Sequence, residues 1–240
     1  MNEQNATPDV ASASNQFADE EVQSSYAYPK GYKGPRPISE QVRCVQGLFP
    51  NIGSANEQLV ERPFPRIAEG YFAIPRWECV APTYGEAVEI VLAMIASRRK
   101  FTNYRGGQLG AEYLRQHAKT VKMFQKLGDE QKDFGTLVVP AQFGLRHKGR
   151  SVRRAREVFA ESEFGLGAFA VGIMMLTHPE REVQWKQLHV VCAGDEFSPC
   201  ANGNFLNVPI FQFSDGEVRF FASWCGNAYE NYGSASAFVI

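Results

Sequence analysis

The segment NVPIFQFSDGEVRFFAS, residues 207–223, consists of two short apolar runs joined by Ser214-Asp215-Gly216. β-Branched and aromatic residues alternate with polar ones on both sides, which is the pattern of half-buried strands. An Asp-Gly pair between two such runs is a strong hairpin signal, because both residues tolerate the positive φ angles of a tight turn. The segment therefore predicts an antiparallel pair of strands.

Three apolar stretches before the hairpin extend this interpretation. LGAFAVGIMML at 166–176 and QLHVVCA at 187–193 have the composition of buried strands. GTLVVP at 135–140 is a β-branched run that ends at a proline, which fits a buried or edge strand. We therefore predict that strands dominate the second half of the chain.

Helical patterns come earlier in the chain. The segment TYGE at 83–86 has the form of a capping box and precedes apolar residues at helical spacing, which predicts a helix over 84–99. A second helix is predicted over 108–127, ended by Gly128, and a third begins at Ser151 as its N-cap. Helices first and mostly antiparallel strands later indicate an α+β fold, with helices packed on one face of a mostly antiparallel sheet.

The first 38 residues differ in composition from the rest. They are rich in Asn, Ser, Gln, Glu and Asp, so they bury too little apolar surface to offset the entropy of ordering. Their second part, YAYPKGYKGPRP at 26–37, places three tyrosines among Pro and Gly, as in an extended linker. We predict a disordered N-terminal arm and linker over 1–38, whose tyrosines dock on the domain or bind a partner. A single α+β domain follows at 39–240.

Composition predicts a soluble protein of a reducing compartment. Five irregularly spaced cysteines do not form a disulfide framework, and MNEQNATPDV lacks the features of a signal peptide. No apolar run approaches the roughly 18 residues of a membrane helix. We therefore expect a cytoplasmic protein with no membrane partner and no cofactor; the sequence does not fix its oligomeric state.

Positive charge is concentrated in the middle of the chain. Between Arg98 and Glu157 there are 15 Lys and Arg against 5 Asp and Glu, a net charge of +10. The other residues carry −11, because the whole chain carries −1. Such asymmetry predicts either a basic surface for a polyanion or basic and acidic segments that neutralise each other in the fold.

The densest part of this region is a strand–loop–helix unit at 135–163. Exposed cations at the start of a helix are unfavourable by roughly 0.3–1 kcal/mol each. Their presence there predicts a bound anion, held by Arg forks and backbone N–H groups. The predicted anion-binding residues are Arg146, Lys148, Arg150, Ser151, Arg153 and Arg154. A secondary basic surface is predicted on the second helix from Arg115, Lys119, Lys122 and Lys126.

These residues favour a non-catalytic domain that binds phosphate or a polyanion, with RNA or DNA as the leading partner and a phosphorylated ligand as the next. The loop matches neither GxxxxGK[ST] nor GxGxxG, so the pattern is generic. If acids cover these arginines in the fold, the interpretation loses its basis.

Two other classes of function stay open. The first is an enzyme acting on a nucleotide or phosphorylated substrate, with Asp195, His189 or Cys225 near the strand ends; no catalytic set can be assigned from the sequence. The second is a structural or assembly protein that packs its C-terminal aromatic strands against another subunit. No metal site is predicted, because His189 and Cys192 lie three residues apart on a strand and point to opposite faces.

Overall fold

The computed structural model describes residues 15–240, which form an α+β fold as predicted. The helices are Ile38–Leu48 (α1), Tyr84–Ala96 (α2), Ala118–Glu130 (α3), Val152–Glu157 (α4) and Ala168–Thr177 (α5). The first strands are Gly70–Pro75 (β1), Phe101–Asn103 (β2), Leu114–Gln116 (β3), Thr136–Gln142 (β4), Glu163–Gly165 (β5) and His189–Val191 (β6). The last are Asp195–Phe197 (β7), Asn207–Ser214 (β8), Glu217–Trp224 (β9), Tyr232–Ser234 (β10) and Ser236–Phe238 (β11).

One sheet has the strand order β1-β4-β11-β5 and is antiparallel throughout. Every residue of β1 and β4 is buried. Helices α1 and α5 contact β1, while α3 contacts β4 and β5. These strands read as continuous apolar runs because the sheet lies inside the core.

A second, mixed sheet has the order β10-β6-β8-β7-β3, with β9 pairing both β8 and β2. The β8–β9 hairpin runs from the Asn207–Trp224 pair to the Ser214–Glu217 pair. Asp215 and Gly216 form its turn with φ angles of 51° and 78°. The hairpin prediction is confirmed.

Helix α5 corrects the prediction of a strand over 166–176. All ten of its residues are buried, between α2, β1 and α1. A helix that is apolar on every side shows no periodicity in its sequence, so it resembles a buried strand.

The local sequence signals correctly predict the start of α2, but they place the start of α3 too early in the chain. Thr83 and Glu86 form the predicted capping box of α2. The second predicted helix begins at Ala118, not at residue 108, because β3 pairs with β7 and His117 caps α3 by accepting a hydrogen bond from the Lys119 N–H. It also continues past Gly128 to Glu130, so this glycine does not end the helix.

The N-terminal segment lies against the domain from residue 15 onward, and the part of the predicted arm at 1–14 falls outside the described residues. Tyr28 and Tyr32 donate hydrogen bonds to Glu69, and the Tyr32 ring packs edge-on against Phe143. Over residues 15–37 the structure thus differs from a disordered arm. The tyrosine rings supply buried surface that the polar composition conceals, and the alternative in which they dock on the domain agrees with the structure.

Within residues 15–240 no helix has the length and apolar character needed to cross a membrane. Each of the five cysteines is a free thiol.

Candidate functional site

The loop before α4 and its first turn bring most of the predicted anion-binding residues together, but carboxylates already contact their guanidinium groups. Arg153 pairs with Glu20, and Arg154 pairs with Glu21 and with Glu157. Arg150 Nε lies 3.2 Å from Glu21. We call Arg150, Arg153 and Arg154 the arginine row.

Two of the three acids on the arginine row, Glu20 and Glu21, come from the N-terminal segment, about 130 residues away in sequence. Val22 N–H donates to Gly149 O at 2.7 Å, and Ser151 N–H donates to Glu20 O at 3.0 Å. The segment thus adds to the loop like a short strand. Ser151 caps α4 as predicted, and its hydroxyl also donates to Glu20 at 2.5 Å. Lys148 donates to the carbonyl of Tyr26.

Arg146 belongs to a buried network around Glu163, and His147 of this network also lies 3.3 Å from Arg150 Nη1. The Glu163 carboxylate accepts hydrogen bonds from Arg146 Nε at 3.1 Å, Ser236 at 2.6 Å and the Ala160 N–H at 3.1 Å. His147 Nε2 lies 2.7 Å away. Burial opposes ionisation, yet these contacts, His147 foremost, lower the pKa of Glu163 to about 2. The premise of unpaired guanidinium groups is therefore not met.

The secondary basic surface is divided between a strand and a helix. Arg115 lies on β3, pairs with Glu196 at 2.8 Å and stacks on Phe205. Lys119 donates to Ala160 O at 3.3 Å. Lys122 and Lys126 are exposed on α3 and form no ion pair with any described residue. The four residues therefore do not lie on one helix, contrary to the prediction from the sequence.

A pocket of about 350 Å³, which no sequence motif indicates, lies between β1, β4, α3 and the start of α5. Its size lies within the range of small-molecule sites. The main apolar lining residues are Ile74, Trp77, Val121, Phe124, Leu137 and Phe169. The charged and amide side chains are Arg76, Glu78, Gln116, Gln125 and Asp129. Aromatic walls with a few polar groups are typical of sites for organic ligands.

Arg76 is held at this pocket by backbone carbonyls. Its Nε donates to Phe134 O at 2.8 Å, and Nη2 donates to Gly128 O at 2.6 Å and to Gln131 O at 2.8 Å. It forms no ion pair within residues 15–240, in contrast to the arginine row. Carbonyls near the C-terminus of α3 stabilise the cation but leave it without a counter-charge of one full unit.

Gly128 makes room for this arginine. A Cβ atom at this position would lie 2.5 Å from Arg76 Nη1. Phe124, Gln125 and Asp129, which surround Gly128 on α3, line the pocket. Arg76 Nη1 therefore lies on the same face of the helix as these lining residues.

A buried carboxyl group stands behind the pocket wall. Tyr84, which lines the pocket, donates its hydroxyl proton to Asp195 at 2.8 Å, and the Ala168 N–H donates to the same carboxylate at 2.6 Å. Gly167 permits this packing, because a Cβ atom there would lie 2.2 Å from Asp195 Oδ1. Burial raises the pKa of Asp195 to about 7, against the stabilising effect of these hydrogen bonds.

The other weighed candidates lie elsewhere. His189 is buried beside Glu182 and is absent from the pocket lining. Cys225 is buried in a small apolar cluster, where burial raises the pKa of its thiol. Among the described residues no group of His, Cys, Asp and Glu could hold a metal ion. Of the residues weighed as catalytic, Asp195 lies one hydrogen bond from the pocket.

Aromatic residues of the C-terminal strands divide between core and surface. Phe211 and Phe220 are buried and in contact with each other, whereas Trp224 is 46% exposed. Phe211 and Phe220 are therefore part of the core and cannot contact another subunit, whereas Trp224 is accessible.

No protein-family model, curated protein or solved structure matches this chain.

Proposed function

We propose that the pocket binds a small organic acid with a flat apolar body. The observation that carries the proposal is Arg76, which lines the pocket together with aromatic residues. Its guanidinium is oriented by three carbonyls and has no carboxylate partner within the described chain. Hydrogen bonds that involve a charged group are the strong ones in a protein site. A ligand carboxylate or single phosphate would supply the partner that Arg76 lacks.

Charge balance in the pocket narrows the ligand class. Glu78 and Asp129 also line the pocket, and both are exposed. Two carboxylates beside one guanidinium repel a ligand with several negative charges, although solvent screens this repulsion. The proposal is therefore a ligand with one acidic group, not a nucleoside triphosphate.

Binding of RNA or DNA at the arginine row is the second candidate function, after ligand binding in the pocket. Its guanidinium groups contact Glu20, Glu21 and Glu157, so a nucleic acid would have to displace or share these partners. Nucleic-acid binding and action on a phosphorylated substrate stay predictions from the sequence. The pocket offers the more direct proposal.

Titration with matched probes tests the proposal. We expect 1-naphthoate to quench tryptophan fluorescence through Trp77 and to bind more tightly than its neutral amide. Arg76→Gln should weaken naphthoate binding by about 10–100-fold, since a hydrogen bond to a charged group contributes roughly 1.5–3 kcal/mol, and should leave amide binding nearly unchanged. Equal affinity of acid and amide for the wild type would reject the acidic ligand.

A second variant separates charge from geometry. Arg76→Lys keeps the positive charge but cannot contact three carbonyls with a planar fork. We expect intermediate affinity for naphthoate, measured by calorimetry alongside the melting temperature of each variant. Wild-type affinity in Arg76→Gln, with an unchanged fold, would remove Arg76 from the site.

A further inference from the structure

The arginine row and the N-terminal segment have the geometry of a peptide bound to its receptor. Residues 20–22, which follow a turn at 16–19, run antiparallel to the loop at Gly149 and Arg150, with a bridge between Glu21 and Arg150. Two backbone hydrogen bonds, from Val22 N–H and from Ser151 N–H, join the segment to this loop. Addition of an extended peptide to free backbone groups is a common mode of peptide recognition.

Side chains give this contact its chemistry. Glu20 contacts both Nε and Nη2 of Arg153 and accepts the Ser151 hydroxyl proton. Glu21 lies between Arg150 and Arg154. Phe17 stacks under the Arg153 guanidinium, whose Cζ is 4.6 Å from the ring centroid. The arginine row thus favours a peptide with an aromatic residue and, three and four positions later, two acidic residues.

The contact is held mainly by groups that solvent reaches. No residue from 15 to 25 is buried, whereas Tyr32 farther along is 7% exposed. Ion pairs of partly exposed side chains are weak and are screened by salt. The contacts of residues 15–25 are therefore weaker than those of the buried Tyr32, and this segment is the first part of the arm expected to open locally.

We propose that the arginine row is a docking surface for an acidic peptide of a partner protein, and that residues 16–22 occupy it within the same chain. The backbone groups of the loop at Gly149 and Ser151 pair with the N–H and carbonyl groups of a peptide. Glu157 accepts hydrogen bonds from the N–H groups of Gln16 and Phe17. A phosphate backbone has no N–H groups that could donate to Glu157, so these contacts favour a peptide over a nucleic acid.

The test uses the full chain and a labelled peptide, NQFADEEVQSS, which copies residues 15–25. Glu20→Gln/Glu21→Gln weakens the resident segment without removing it. We expect the peptide to bind this double variant at least about tenfold more tightly than the wild type, by fluorescence anisotropy at low salt. The control peptide NQFADQQVQSS should bind at least about tenfold more weakly than NQFADEEVQSS, and affinity should fall with salt.

A further change locates the binding. Adding Arg150→Gln and Arg153→Gln to the double variant should abolish the peptide's advantage, with circular dichroism showing that the fold is kept. Equal binding of both peptides, or no binding to the folded double variant, would overturn the proposal. Tighter binding of a single-stranded oligonucleotide than of the acidic peptide to that variant would overturn it in favour of nucleic acid.

Discussion

Two arginine environments in this protein differ in the groups that contact the guanidinium. The arginine row is conspicuous in the sequence, yet Glu20, Glu21 and Glu157 contact all three of its members. Arg76 stands alone in a mostly apolar stretch, and backbone carbonyls hold it at a pocket. The local density of positive charge therefore does not predict which cation can accept an anionic ligand.

The difference has a simple physical origin. A carboxylate both orients a guanidinium and cancels its charge, whereas a carbonyl orients it and contributes only a partial charge. Fixing Arg76 by carbonyls keeps its charge available at the pocket.

The largest effect is expected where the basic region reaches the core. Glu163→Gln breaks a buried set of contacts to Arg146 and His147 and should lower the free energy of unfolding by about 3–5 kcal/mol. Urea unfolding at pH 7 measures this, with the exposed Glu161→Gln as the matched control. A change no larger than that of the control would contradict the role given to Glu163.

The same variant should change the acid response. The pKa of Glu163 is lowered from 4.5 to about 2, so its stabilisation is complete above pH 4.5 and is lost as the pH falls toward 2. Glu163→Gln should lose less stability over that interval.

Behind the pocket, Asp195 should act in the opposite direction. Its pKa is raised from 3.8 to about 7, so the folded state binds the extra proton between these values and stability falls as the pH rises through that window. Asp195→Asn should remove this decline, an effect of up to a few kcal/mol between about pH 4 and 7. Urea unfolding across this range, with the exposed Asp133→Asn as control, measures it; parallel curves for wild type and Asp195→Asn would contradict it.

A smaller effect is expected from filling the space beside Arg76. Gly128→Ala places a Cβ atom against Nη1 and should lower the free energy of unfolding by about 1–3 kcal/mol, while also weakening binding of an acidic ligand. Gly47→Ala in α1 is the control, because nothing lies within 4 Å of its added atom. Thermal melts and naphthoate titration measure the two effects, and identical behaviour of both alanine variants would contradict the model of the pocket.

The smallest effect is expected at the arginine row. Glu20→Gln removes a partly exposed ion pair with Arg153 and should lower the free energy of unfolding by less than about 1 kcal/mol. The difference between the unfolding curves of the wild type and Glu20→Gln should be smaller at high salt than at low salt. A loss as large as that of Glu163→Gln would show that the row is as structural as the buried network.

Elements coded by neighbouring residues could be predicted from the sequence. The capping box at Thr83, the N-cap at Ser151 and the Asp-Gly hairpin each depend on contacts within a few positions. Helix α5 could not be predicted, because burial on all sides erased its periodicity. The start of α3 depends on the pairing of β3 with β7, which no local pattern contains.

The candidate sites show the same division. The basic residues near α4 were found, but their partners Glu20 and Glu21 lie too far away in sequence to be assigned. The pocket combines residues from five separate stretches and has no contiguous motif. One signal was available, since an isolated glycine such as Gly128 inside a helical pattern often marks close packing.

The docking of Tyr28 and Tyr32 also constrains the order of events during synthesis. Tyr32 contacts Phe143 and His178, and Leu188 N–H donates to Ala27 O, so these tyrosines emerge from the ribosome long before their partners. Until then their rings stay exposed to solvent and to chaperones. We therefore expect this segment to close only after the chain has been synthesised past Leu188.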